Sequence, residues 1–195
     1  MSRRRIGRIK FCPFTLVVSS NERAHGSDYR FEQIPARLTD GGGMVAVPIE
    51  FVALKTGDYS IYGYEQRVCV ERKTLEDLYG SLGHDRERFA REFDRLAEME
   101  YAAVVIEAGW HEIVQPHRFR AKWQSEMHPR AVWGTIFSWA QDYRNIHWFA
   151  MGSRRMGEMA TFEILEMFWR KHRGEAVEAE ITAENAALPD VQNVG

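Results

Sequence analysis

The spacing of apolar positions changes along the chain, and each change marks an element. Phe14-Thr15-Leu16-Val17-Val18 is a compact run rich in β-formers and predicts a central strand. Met44 to Ala53 and Arg67 to Val70 predict further strands, with Gly57 and Gly63 at the bends between them. Asp40-Gly41-Gly42-Gly43 reads as a turn or flexible loop. From Thr74 to Met99 the period lengthens to that of a helix. At about 100° per residue, Leu75, Leu78, Leu82, Phe89, Phe93 and Leu96 fall within one arc of roughly 60°. Gly83 interrupts this run without shifting its phase, and the opposite side carries Asp77, His84, Arg88, Arg91 and Arg95. Tyr101 to Glu107 predicts a buried strand. Arg130 to Tyr143 predicts an amphipathic helix with Val132, Trp133, Ile136, Phe137 and Ala140 inward. Ile146 to Met151 predicts a last strand and Met156 to Lys171 a last helix. Strands followed by alternating helices and strands give an α/β fold, a three-layer sheet with helices on both faces.

A chain of 195 residues is long enough for one domain with its own core, and 45% hydrophobic content suits a soluble globular protein. The net charge of −2 hides an asymmetry. Arg3, Arg4, Arg5, Arg8 and Lys10 form a basic arm over residues 1–10, whereas every charged residue from Gly174 onward is an acid. Without that tail, residues 1–173 are net basic and suit a polyanionic partner. The 174–195 tail has few large apolar residues and is expected to be disordered. Two cysteines, Cys12 and Cys69, read as reduced core thiols. No apolar run approaches the roughly 18 residues of a membrane span, and Phe11 to Val18 is too short for a secretory segment, so a cytoplasmic location is the expectation.

The densest chemistry lies between Gly57 and Asp77. Asp58 opens one apolar segment, Glu71-Arg72-Lys73 ends the next, and Asp77 stands a turn into the following helix. Two such acids can hold Mg²⁺ or Mn²⁺, hard cations that prefer oxygen ligands. Lys73 points to the same side of its strand as Glu71, where it can orient water or neutralise charge growing on a phosphate. Each residue also has a plainer reading: Asp58 as a turn aspartate, Glu71 in a structural salt bridge, Lys73 as a surface lysine, and Asp77 as an acid favoured by the helix dipole. Arg72 points to the opposite face, toward a nucleic-acid backbone or a supporting carboxylate. Arg88, Arg91 and Arg95, with Arg23 and Arg86, are candidate phosphate contacts or else a solvated, ion-paired face. Trp123, among alternating bases, is a candidate for stacking on an unpaired nucleotide.

Gly57-Asp58, Glu71-Arg72-Lys73 and Asp77 resemble the GD…ERKxxxD signature of the XPF/Mus81 (ERCC4-type) nuclease domain, and Leu78-Tyr79-Gly80-Ser81-Leu82 resembles that family's next helix. The resemblance covers roughly Phe11 to Arg173. It implies a restriction-endonuclease-like α/β/α core with a central mixed sheet. It also implies a Mg²⁺- or Mn²⁺-dependent endonuclease acting on branched, flap or junction DNA, working as a homodimer or with a partner subunit, in DNA repair or recombination. By resemblance Asp58, Glu71, Arg72, Lys73 and Asp77 are catalytic, with metal on Asp58, Glu71 and Glu22. Family members carry Asp-x-x-Glu after the first strand; here the segment reads Ser19-Ser20-Asn21-Glu22, so Glu22 matches and Ser19 replaces the acid. Asp28 is a conceivable substitute. Ser19 keeps alive a second reading, a non-catalytic DNA-binding subunit, and a non-specific nuclease or exonuclease of the same superfamily is a third.

Overall fold

In the computed structural model, residues 10–32, 34–35, 44–119 and 125–187 are described. The basic arm before residue 10, the loop at 40–43, Trp123 and the last eight residues lie outside them.

Nine strands form two sheets among the described residues. The small sheet joins β1 (Lys10–Phe11), β4 (Met44–Ala46) and β3 (Ile34–Pro35). The main sheet has six strands: β5 (Ile49–Val52), β2 (Leu16–Ser19), β6 (Tyr59–Ile61), β7 (Val68–Lys73), β8 (Tyr101–Ile106) and β9 (Ile146–Ala150), in that spatial order. It is mixed: β6 runs antiparallel to β2 and β7, while β5 with β2 and β7 with β8 and β9 pair in parallel. One face packs on α7 (Arg154–Ala187), burying Phe162, Leu165 and Phe168 against Val68, Val70 and Val105. The other face packs on α2 (Leu75–Leu82), α3 (Arg86–Leu96), α4 (Trp110–Val114) and α6 (Pro129–Asp142). This is the three-layer α/β/α arrangement expected. Two short helices, α1 (Ser20–Ala24) and α5 (Pro116–Phe119), complete the described elements.

Several boundaries differ from the sequence reading, each for a physical reason. The strand expected over Met44 to Ala53 is two strands in different sheets, divided at Val47-Pro48, because proline has no N–H to continue a ladder. The helix expected from Thr74 to Met99 is α2 and α3, which part at Gly83. A β-carbon there would sit 2.9 Å from the Tyr79 carbonyl. The apolar phase survives this break, and all six predicted inward residues are buried. On α6 the buried residues are Val132, Ile136 and Trp139; Phe137 is turned outward, where it packs on Trp133, itself against Trp110 of α4. Helix α7 runs on past Gly174 to Ala187, through a segment rich in alanine and glutamate, both strong helix formers.

Candidate active site at the end of β7

All six residues of β7 are buried, although three of them are charged. Alternation divides them. Cys69 packs with the α2 and α3 layer, whereas Val68 and Val70 pack with the α7 layer. Glu71 and Lys73 therefore share the α3 side, and Arg72 faces the other. Pairing fixes both sets, because β7 is central and its last three residues are in register with Val104, Val105 and Ile106 of β8.

Asp58 reaches the same place through a tight approach. Gly57 takes φ +73°, and a β-carbon on it would lie 2.9 Å from both Cβ and Sγ of Cys69. Only glycine allows that conformation and that proximity without strain. The Asp58 backbone then bridges two strands: its N–H donates to the Val70 carbonyl (2.9 Å), and its carbonyl accepts from the Ser19 N–H (2.8 Å). Its carboxylate accepts from the Arg72 N–H at 2.7 Å.

Two clusters of charge result, one on each side of β7. On the α3 side, Lys73 Nζ donates to Glu71 Oε1 at 2.5 Å and lies 4.7 Å from the centre of the Phe89 ring. Glu92, one turn further along α3, is within hydrogen-bonding reach of Glu71 and feels the Lys73 charge. Three carboxylates, Asp58, Glu71 and Glu92, thus surround one ammonium. Burial first, and then the charges of Glu71 and Glu22, push the Asp58 carboxyl well above the usual carboxylate range. Burial and the neighbouring Glu71 likewise raise Glu92 to about 7. Burial opposes the Lys73 ammonium, but Glu71, Glu92 and Asp58 together hold its pKa above the ordinary lysine value.

On the other side, Arg72 Nε donates to Glu107 Oε1 at 2.7 Å, and its Nη1 lies 3.5 Å from Glu22 Oε2. Arg154 adds a second guanidinium to Glu107 at 3.2 Å and donates to the carbonyls of Ser27 and Asp28. Ser27 Oγ donates to Glu22 at 3.1 Å. Here the charges balance, two arginines to two glutamates.

An open cleft of about 720 Å³ runs over this end of the sheet, lined by Glu22, Asp58, Glu71, Arg72, Lys73, Asp77 and Glu92, with Arg88 and His84 on its α3 rim. Asp77 is exposed at the cleft edge, where its carboxylate accepts from Thr74 Oγ1 (2.7 Å) and closes the capping box of α2. Arg88 pairs with Asp85. The remaining predicted arginines do not line the cleft. Arg23 lies over the Phe51 ring, Arg86 donates to Thr135 on α6, Arg95 donates to the Arg91 carbonyl, and Arg91 is exposed on the same helix. Ser19 is buried and precedes α1, so the position where an acid was expected faces the interior.

The donor set suits a divalent cation. Asp58 and Glu71 are hard oxygen donors crowded together with their repulsion incompletely offset. Among the described residues no three His, Cys, Asp or Glu side chains already converge as a cage. Sequence reading missed Glu92 and Glu107. Glu92 carried one signal: at about 100° per residue it falls roughly 40° outside the buried arc of α3, at the border between core and solvent.

A family model described as the ERCC4 domain matches residues 27–156, two thirds of the chain, and takes in Gly57 through Asp77. Ser19 and Glu22 precede the matched segment. Among solved structures, "XPF from Aeropyrum pernix, complex with DNA" is similar at TM-score 0.53 and 22% identity, covering 81% of this chain and 66% of that one. A second XPF structure from Aeropyrum pernix is similar at TM-score 0.53 and 18% identity, covering 88% of this chain and 73% of that one. At these identities the likeness is one of fold, and the chain spans just under two thirds of the XPF chain in the DNA complex. No curated protein matches the chain in sequence.

Proposed function

The chain belongs to the ERCC4 nuclease-domain family, and from that premise we propose that it is a metal-dependent DNA endonuclease directed to branched, flap or junction DNA. The observation that carries this reading is the acid excess on the α3 side of β7, where Asp58 and Glu71 crowd a single lysine inside an open cleft. Asp58 and Glu71 would hold Mg²⁺ or Mn²⁺, with Glu22 reaching it through water. When bound, the cation would polarise a phosphodiester and lower the pKa of a water.

The rest of the chemistry belongs to the protein's own side chains. Lys73, kept fully charged by its carboxylate neighbours, would hold the attacking water or donate to a phosphate oxygen as negative charge builds there. Water supplies the oxygen that forms the new bond to phosphorus and releases a proton to solvent; the bond to the leaving sugar oxygen breaks, and that oxygen takes a proton from solvent. Arg72 acts one step back. It ties Glu107 and Glu22 and donates its backbone N–H to Asp58, so it sets the position of the carboxylates. Asp77 fixes the start of α2 at the cleft edge. Arg88 on the cleft rim, and the arginines further along α3, would meet flanking phosphates, giving register and salt dependence without sequence readout. A second copy or a partner subunit would complete the grip on a branched substrate. No described helix is long and apolar enough to cross a membrane.

The test is cleavage of labelled single-stranded, duplex, 3′-flap, fork and four-way-junction DNA with Mg²⁺ or Mn²⁺. Metal-dependent cutting of branched substrates, lost in Glu71→Ala and Lys73→Ala, is the expected result. Binding without cutting would make the chain a DNA-holding subunit, and cutting that requires free ends would make it an exonuclease.

A further inference from the structure

Glu92 lies in the cleft beside the two residues whose chemistry the reading above depends on, and nothing in the family signature assigns it a part. Its place is set by α3. Phe89, one turn earlier on that helix, is fully buried and lies under the Lys73 ammonium at 4.7 Å. That contact turns the same face of α3 toward the end of β7. Glu92 thereby comes within hydrogen-bonding reach of Glu71 and within the field of Lys73. Asp58 enters the cleft beside β7, its backbone bonded to Val70 and Ser19, whereas Glu92 enters it from α3.

The bond between Lys73 and Glu71 creates a problem, and the place of Glu92 offers its solution. Lys73 is bound to Glu71 at 2.5 Å, yet the proposed reaction needs Glu71 for a cation and Lys73 for a water or phosphate. A cation drawn to Asp58 and Glu71 repels the ammonium. Released into a buried site with no carboxylate, that ammonium would carry a large desolvation cost. Glu92, on α3 in the same cleft, can receive it. We propose that Glu92 is a positioning residue for Lys73, to which the ammonium passes from Glu71 when Glu71 engages the cation. This rests on the nuclease reading above and adds to it a fixed direction: Lys73 works from the α3 wall of the cleft.

The experiment combines Mn²⁺ calorimetry with single-turnover cleavage of whichever DNA the unaltered chain cuts fastest. The expected result for Glu92→Gln, which keeps size and shape, is Mn²⁺ affinity and DNA KM within about twofold and a rate lowered about 10–100-fold. Glu92→Asp recovers part of the rate. Lys73→Gln and the double variant Lys73→Gln/Glu92→Gln cut equally slowly, because the effect of Glu92 passes through Lys73. The proposal is overturned if Glu92→Gln cuts normally, if it loses Mn²⁺ affinity as a direct ligand would, or if the two substitutions add. Glu71→Gln separates the two levels. If that variant keeps both Mn²⁺ binding and cleavage, or if the unaltered chain shows neither, the nuclease reading fails and the role of Glu92 with it.

Discussion

The two faces of β7 carry charge in opposite ways. Behind the strand, Arg72 and Arg154 meet Glu107 and Glu22 in equal number, with short contacts and an arginine fork between carboxylates. In front, Asp58, Glu71 and Glu92 gather around Lys73 alone, and the Asp58 and Glu92 carboxyls are pushed upward by burial and by the charge of Glu71. Successive residues of one strand thus feed a cluster that is electrostatically complete and one that is short of positive charge. Removing one partner of a buried ion pair costs stability, whereas perturbed buried carboxyls cluster at functional sites, so the proposed chemistry falls on the front side. Arg72 belongs to the first cluster and Lys73 to the second, although they are neighbours in the motif.

The largest effect that would sharpen this contrast is on rate. Lys73→Ala should lower cleavage by about 10²–10³-fold, beyond any loss of stability that follows from leaving Glu71 buried without its partner. A near-normal rate in the folded fraction of that variant would place Lys73 with the structural cluster.

Arg72→Ala should do the reverse. Its side chain is 6% exposed and that of Glu107 12% exposed, so removing it strands buried carboxylates. Unfolding in urea should show a loss of about 3 kcal/mol, the low end for a broken buried pair, because Arg154 still partners Glu107. Mn²⁺ affinity should change much less than stability does.

The third effect is on pH. Asp58 and Glu92 favour the protonated form in the folded protein, with Glu92 raised to about 7. The stability linked to that proton is fully present below the unfolded carboxyl pKa of about 4 and is lost as pH rises through 7. Metal-free protein should therefore become less stable between about pH 5 and 8, by at most about 1.4 kcal/mol per pH unit for each proton released. Glu92→Gln should flatten the slope, and added Mn²⁺ should oppose it.

The smallest effect lies in neither cluster. Thr74→Ala removes the N-cap of α2 and should cost about 1 kcal/mol by thermal unfolding, with the rate changed far less than by any cleft substitution.

What could be read from the sequence was local. The strand through Val70, the phase of the Leu75-to-Leu96 face and the GD…ERK spacing follow from a period of two, a period of 3.6 and a short motif. The front cluster was half legible on those grounds, since Glu71 and Lys73 share a strand face whatever lies around them. Glu92 was not legible, because it reaches Glu71 only when α2 and α3 part at Gly83 and α3 lays Phe89 beneath Lys73. Glu107 was hidden for a similar reason. Its meeting with Arg72 depends on the parallel register of β7 with β8, and no pattern within either strand fixes that register. The role of Gly57 shows the same limit. The dipeptide with Asp58 was visible, but the approach to Cys69 that demands glycine appears only in the folded sheet.

The central claim is that the cation sits on the front pair, Asp58 and Glu71, and not on Glu107 of the back cluster. Calorimetric titration of Mn²⁺ into the unaltered chain, Asp58→Asn, Glu71→Gln and Glu107→Gln tests it directly. The account predicts binding in the unaltered chain, a loss of at least about tenfold in affinity for the first two variants, and near-normal affinity for Glu107→Gln if it remains folded. Normal binding in Asp58→Asn and Glu71→Gln, or a loss confined to Glu107→Gln, would contradict it.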